Sequence, residues 1–296
     1  MKILVGDLRL FVDVEGSSLR VDGPQMRQAP TLLLLHGGPF IDHSMFKPEH
    51  SQLCDAAQLV YLDHRGRGRS ERGDRAKWNL EQWGNDVHAF CDALEIEMMG
   101  VSFGGIVAMS YATRHPEHAA GLILCSTMAR WRDERSLCAF EKLGGPEARE
   151  AARRLWDEPT RENSRAYSSK CGPLCLQLTQ GKPRLSSTQV SELMSRFTRS
   201  VTNWEVNEFF LRGEKRKFDF LPQLNRIRCP TLIMSGTVDP IATLADSMDI
   251  ARALPAQLCQ MEVIDGAGHG IIDDAPEPYF EAIRKFIICA QPYWHH

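Results

Sequence analysis

Hydrophobic positions along this chain fall into two rhythms. Short apolar runs at TLLLL (31–35), residues 58–63, AGLILC (120–125) and CPTLIMSG (229–236) have the length and character of strands buried on both faces. Residues 79–94 and 103–114 instead spread their apolar positions at helical spacing, and the second stretch stops at His115-Pro116. Two more apolar runs end in polar, glycine-rich turns: Ile96, Met98 and Met99 before residue 100, and Met261–Ile264 before residue 265. The opening MKILVGDLRLFVDVEG alternates and carries Asp7, Arg9 and Asp13, which predicts a first hairpin rather than a secretory leader. Strands alternating with helices predict an α/β protein, with a mostly parallel sheet and helices on both faces.

The rhythm breaks between residues 127 and 222, where the chain is helical and charge-rich without a strand signal. An all-helical insertion between two halves of a sheet predicts a lid over the carboxyl edge, so the expected organisation is core (1–126), lid (127–222) and core (223–296). Its aromatic residues fit the lid's own core. Trp131, Trp204, Phe209 and Phe210 are also candidates to cover an apolar substrate.

Candidate chemistry gathers where strands should end. Residues 100–105 read Gly-Val-Ser-Phe-Gly-Gly between a strand and a helix, the pattern of a nucleophile elbow that lifts Ser102 clear of the backbone. Asp239 follows the run at 231–234, and His269 follows the run at 261–264. The chain order Ser102, Asp239, His269 differs from both major serine protease orders and suits a base, His269, oriented by a carboxylate. The loop His36-Gly37-Gly38-Pro39 follows another strand. Acyl transfer needs N–H donors aimed at a developing oxyanion; Phe103, next after the serine, supplies one. Pro39 has no N–H, which leaves Gly38 as the second donor ahead of Phe40, and Phe40 narrows the entrance. His36 reads as a buried histidine bonded to backbone.

Composition narrows the field. The chain has 296 residues, 43% of them hydrophobic, with a net charge of −3, giving no reason to invoke nucleic acid or an anionic membrane. Arg65, Arg67, Arg69 and Arg72 read as a solvated or locally paired loop, because the Lys-Ser/Thr ending of a phosphate loop is absent. Nine scattered cysteines do not form a disulfide framework, and Cys171 with Cys175 lacks the partners of a zinc site. No apolar run is long enough to span a membrane. The expectation is a cytoplasmic monomer or homodimer acting on a small molecule, without metal or organic cofactor.

The motifs HGGP, YLDHRGRGRS (61–70), GVSFGG, GTVDP (236–240) and GAGHG (266–270), with the helical insertion, resemble the α/β-hydrolase superfamily over nearly the whole chain. HGGP followed by DHRGRGRS is similar to the prolyl iminopeptidase-related branch, which includes carboxylesterases and N-acyl homoserine lactonases. The resemblance implies Ser102 as nucleophile, His269 as base, Asp239 as its orienter, and Gly38 with Phe103 as the oxyanion hole, while 63–70 supports the site. Peptidases of that branch usually carry a longer glycine run and a Gly-Gly-Ser-Trp-Gly elbow. This chain has Phe40 and Gly-Val-Ser-Phe-Gly, and its join at 94–100 is roughly three residues shorter. An ester or lactone hydrolase is therefore expected. The rivals are an aminopeptidase using Glu205 and Glu208 to hold an ammonium group, and a low-turnover ligand-binding protein.

Overall fold

The computed structural model describes residues 1–91, 96–175, 195 and 198–290. Its strands are β1 (Lys2–Val5), β2 (Leu8–Glu15), β3 (Leu19–Asp22), β4 (Gln25–Gln28), β5 (Thr31–Leu35), β6 (Gln58–Leu62), β7 (Ile96–Val101), β8 (Ala119–Cys125), β9 (Thr231–Gly236) and β10 (Cys259–Ile264). Among the described residues, eight of them form one sheet in the order β1-β2-β6-β5-β7-β8-β9-β10. Only β2 runs against the rest, pairing antiparallel with β1 and β6, while the other pairs of this sheet are parallel. The strand order reverses at β5, whose sequence neighbour β6 lies on one side and β7 on the other. Ligands of open α/β sheets gather at such a switch point, outside the carboxyl ends of the strands.

The leucine-rich strands lack alternation because both faces are covered. Leu33, Leu35, Leu62, Leu124 and Ile233 pack to one side with α1 (Leu80–Cys91) and α2 (Phe103–Arg114). Leu32, Leu34, Leu59, Ile123 and Leu232 pack to the other with α9 (Pro276–Ala290). That helix presents Tyr279, Phe280, Ile283, Phe286 and Ile287 as one apolar stripe. Each leucine so buried contributes about 1.5–3 kcal/mol.

Four features correct or limit the reading of the sequence. β3 and β4 form a separate hairpin that the sequence pattern did not indicate; both strands are largely exposed, so no buried face imposed an alternation. The helix expected over 79–94 is observed over Leu80–Cys91, and residues 92–94 lie outside the described residues. The short join at 94–100 lies partly outside them too. Within β7, pairing with β8 slips by one residue between Ile96 and Glu97. Arg65 and Arg67, read as solvated or paired, are both fully buried. Arg65 is paired, donating from Nε and Nη2 to Asp86 at 2.7 Å each and from Nη2 to Asp7 at 2.8 Å.

Between β8 and β9 the chain makes a helical excursion: α3 (Asp133–Asp157), α4 (Arg161–Lys170), α5 (Gly172–Cys175) and α6 (Trp204–Arg212). Two more helices lie beyond it, α7 (Leu244–Ala253) and α8 (Ile271–Asp274). Lys215 pins the excursion from within. Its fully buried ammonium lies 5.2 Å from the ring centroids of both Trp131 and Trp156. It also meets the Asp133 carboxylate at 3.1 Å.

Burial pushes the Lys215 pKa down from 10.5 to about 8, against the pull of Asp133. Between those pH values the unfolded chain holds the proton that the folded chain has released, so this group makes stability rise with pH across that window. Urea unfolding at pH 7 to 10.5 is expected to show up to about 3 kcal/mol of such gain in the parent relative to Lys215→Met. Parallel curves would refute it.

Candidate active site

Ser102 sits at the sharp turn between β7 and α2 with φ 54° and ψ −115°, a strained conformation for a residue with a side chain. The turn is held from outside: the Ser102 amide donates to Cys125 O at 2.9 Å, and the Thr127 hydroxyl donates to Ser102 O at 2.7 Å. Close backbone approach fixes the flanking residues. A Cβ on Gly104 would lie 2.0 Å from Leu35 O, and one on Gly100 would lie 2.5 Å from Gly104 O.

Two loops bring the remaining groups to this turn. His269, after β10, places Nε2 3.0 Å from Ser102 Oγ and Nδ1 2.8 Å from Asp239 Oδ2. Asp239, after β9, is buried. Its other oxygen accepts the amides of Ile241 at 2.8 Å and Ala242 at 3.0 Å, so the carboxylate cannot rotate freely. With Nδ1–H donated to Asp239, Nε2 is left to accept the serine proton. The residues expected to form this set are thus hydrogen-bonded in series.

The loop after β5 passes directly beside the serine, since a Cβ on Gly37 would lie 3.3 Å from Ser102 Cβ. Gly38 has φ +53°, which favours glycine there. The Gly38 amide has no acceptor among the described residues. The Phe103 amide opens α2, where no intrahelical acceptor exists. Both are available as donors, and the helix N-terminus adds partial positive charge. His36 is buried with Nδ1 3.0 Å from Gly37 O and Nε2 3.4 Å from the His64 amide. Burial drives its imidazole down to about 4, so it remains neutral.

Behind the loop, Asp42, His43 and Asp63 lie close enough to hold a metal ion. Their atoms already have protein partners: His43 Nδ1 meets Asp63 Oδ1 at 2.7 Å, and Arg69 donates its amide to Asp63 and its Nη1 to Asp42. The cluster works as a hydrogen-bonded brace for 63–70.

The predicted substrate residues separate. Phe40 is half-buried, and its carbonyl accepts the Asn203 amide at 2.9 Å, which brings the start of α6 and the half-buried Trp204 to the mouth of this loop. Trp131 packs on Trp156 at 5.4 Å and on Phe210 at 6.4 Å. Phe209 turns to Trp78 at 6.1 Å, and it is Phe210 that meets Phe103, at 5.2 Å. Glu205 faces Arg72 at 3.7 Å, and Glu208 pairs with Arg212 at 2.9 Å. Two supports went unnoticed in the sequence. Asn203 caps α6 and donates to Gly66 O at 2.6 Å; an Asn just ahead of a helical run was its visible signal. The Cys175 carbonyl accepts the amides of His269 at 2.8 Å and Gly270 at 3.2 Å, for which the sequence carries no signal.

The family model for serine aminopeptidases (S33) matches residues 29–276. A proline iminopeptidase of Clostridium botulinum is 26% identical over 292 residues, covering 90% of this chain and 93% of that protein. A thermophilic esterase from Thermogutta terrifontis superposes with a TM-score of 0.71 at 25% identity over 98% of each chain. The enol-lactonase of Burkholderia xenovorans shares the fold, with a TM-score of 0.70 at 22% identity over 99% of this chain and all of that one.

Replacing Gly104 by Ala forces a methyl into the Leu35 carbonyl. Overpacking against backbone is expected to lower stability by about 3 kcal/mol or more, read by urea unfolding. A loss below about 0.5 kcal/mol would show that the turn can move aside.

Proposed function

We propose that this chain, which belongs to the serine aminopeptidase (S33) family of α/β-hydrolases, cleaves carboxylic esters or lactones through an acyl-enzyme on Ser102. N-acyl homoserine lactones are one candidate class. The observation that carries the reading is the series Ser102–His269–Asp239 at 3.0 and 2.8 Å, beside the loop after β5 and the N-terminus of α2. His269 takes the hydroxyl proton as Oγ attacks the carbonyl carbon, and Gly38 with Phe103 receive the oxyanion. The imidazolium returns the proton to the leaving alkoxide. Water, activated by the same nitrogen, then releases the acid and restores the serine. Residues 127–222 act as the lid, with Trp204 and Phe40 at the entrance and Trp131 and Phe209 in its apolar packing. The protein needs no metal or organic cofactor for this chemistry, and a cytoplasmic monomer or homodimer suits it.

The ester reading is preferred over amide cleavage because Glu205 and Glu208, the carboxylates suited to hold a substrate ammonium, are engaged by Arg72 and Arg212. Release of N-terminal proline is the second reading, favoured by the activity named for the Clostridium relative.

A hydrolysis panel decides between them: a short-chain p-nitrophenyl ester, an N-acyl homoserine lactone and proline p-nitroanilide. Ester or lactone turnover is expected, falling about 10⁴-fold or more in Ser102→Ala with the fold intact. Anilide turnover alone would favour the peptidase, and retained turnover in Ser102→Ala would remove Ser102 from the mechanism.

A further inference from the structure

Arg67 takes no part in the hydrogen-bonded series of Ser102, His269 and Asp239, and it is costly to keep. Its side chain is fully buried, yet Nε, Nη1 and Nη2 all lack a hydrogen-bond partner among the described residues. The guanidinium carbon lies 3.8 Å from the Phe103 ring centroid and 4.5 Å from that of Trp83. The buried carboxylates Asp86, Asp63 and Asp42 are engaged elsewhere: Asp86 with Arg65, Asp63 with His43 and the Arg69 amide, Asp42 with Arg69, Ser44 and the Val201 amide. The other fully buried cations among the described residues, Arg65 and Lys215, each have a carboxylate partner. His36 and His64 next to it are held neutral, by burial first and with the Arg67 charge adding to it. Burial pushes the Arg67 pKa well below its ordinary value as well, but a guanidinium is so basic that it keeps its proton at neutral pH.

A desolvated cation without a counter-charge destabilises the resting protein, and two ring faces offset only part of that. We propose that Arg67 is a positioning residue for the oxyanion site: clamped on the Phe103 ring, its unpaired guanidinium steadies the Phe103 amide and biases the local field. The anionic tetrahedral intermediate then supplies the counter-charge that the resting protein lacks. This rests on the assignment of Ser102 and Phe103 made above. Because the attraction develops only as the anion forms, it favours the transition state over bound substrate and acts on kcat.

Arg67→Met, close in volume and uncharged, and Arg67→Lys, still charged, test it. Phenylboronic acid serves as the second probe, since it forms a tetrahedral anion on a serine hydroxyl. Arg67→Met is expected to fold with unchanged or higher thermal stability. It should lose about tenfold in kcat with KM within about twofold, and about tenfold in affinity for phenylboronic acid. Arg67→Lys is expected to hold both within about threefold. Parental kcat and boronate affinity in Arg67→Met overturn the proposal. So does an equal loss in both variants, which marks packing alone. Should Arg67→Met not fold, Arg67→Gln is read by the same two measurements. Boronate binding needs no known substrate. Its loss in Arg67→Met while the hydrolysis panel stays silent keeps this inference and rejects the ester and lactone reading. A parent that does not bind phenylboronic acid overturns the inference.

Discussion

A backbone contact with no room for a side chain governs the whole site. β5 and β7 lie side by side with Leu35 level with Gly100, so the loops leaving both strands must pass each other at once. The Leu35 carbonyl presses on Gly104, and the Gly104 carbonyl presses back on Gly100. That crowding forces the chain through the positive φ at Ser102 and keeps the 36–40 loop against it. Hydroxyl and donor amides are therefore neighbours as a consequence of strand register. The loops after β9 and β10 only need to deliver a carboxylate and an imidazole to a point already fixed.

Around that point the protein keeps an interior that is polar but mostly satisfied. Arg65 is locked onto Asp86, and Asp63 gathers His43 and the Arg69 amide. Charge-assisted hydrogen bonds of this kind are strong when dry and severe when broken. They make 63–70 a rigid wall where a glycine-rich loop would otherwise be pliable. Lys215 plays the same part farther out, holding Trp131 and Trp156 from between.

Much of this was legible in the sequence because it rests on local patterns. TLLLL and TLIM announce strands covered on both faces, and Gly-Val-Ser-Phe-Gly announces a turn whose neighbours cannot carry a Cβ. The order of Ser102, Asp239 and His269 could be read because each follows its own strand. What stayed hidden depends on partners distant in the chain. Arg65 and Arg67 look like any surface arginines until Asp86 and the rings of Trp83 and Phe103 close over them. The exposed β3–β4 hairpin has no buried face to pattern it. Phe209 and Phe210 are adjacent on one helix, and only packing tells which of them reaches Phe103.

The bond from the His269 and Gly270 amides to the Cys175 carbonyl reaches beyond geometry. An excursion between two strands looks like a detachable module, one that a lineage could exchange wholesale. Here the excursion also carries the peg on which the histidine loop hangs. An exchange would have to end a helix at the same spot with a carbonyl facing the same way. Side-chain changes within the helices leave that peg in place, whereas replacement of the segment removes it, so this architecture favours gradual change.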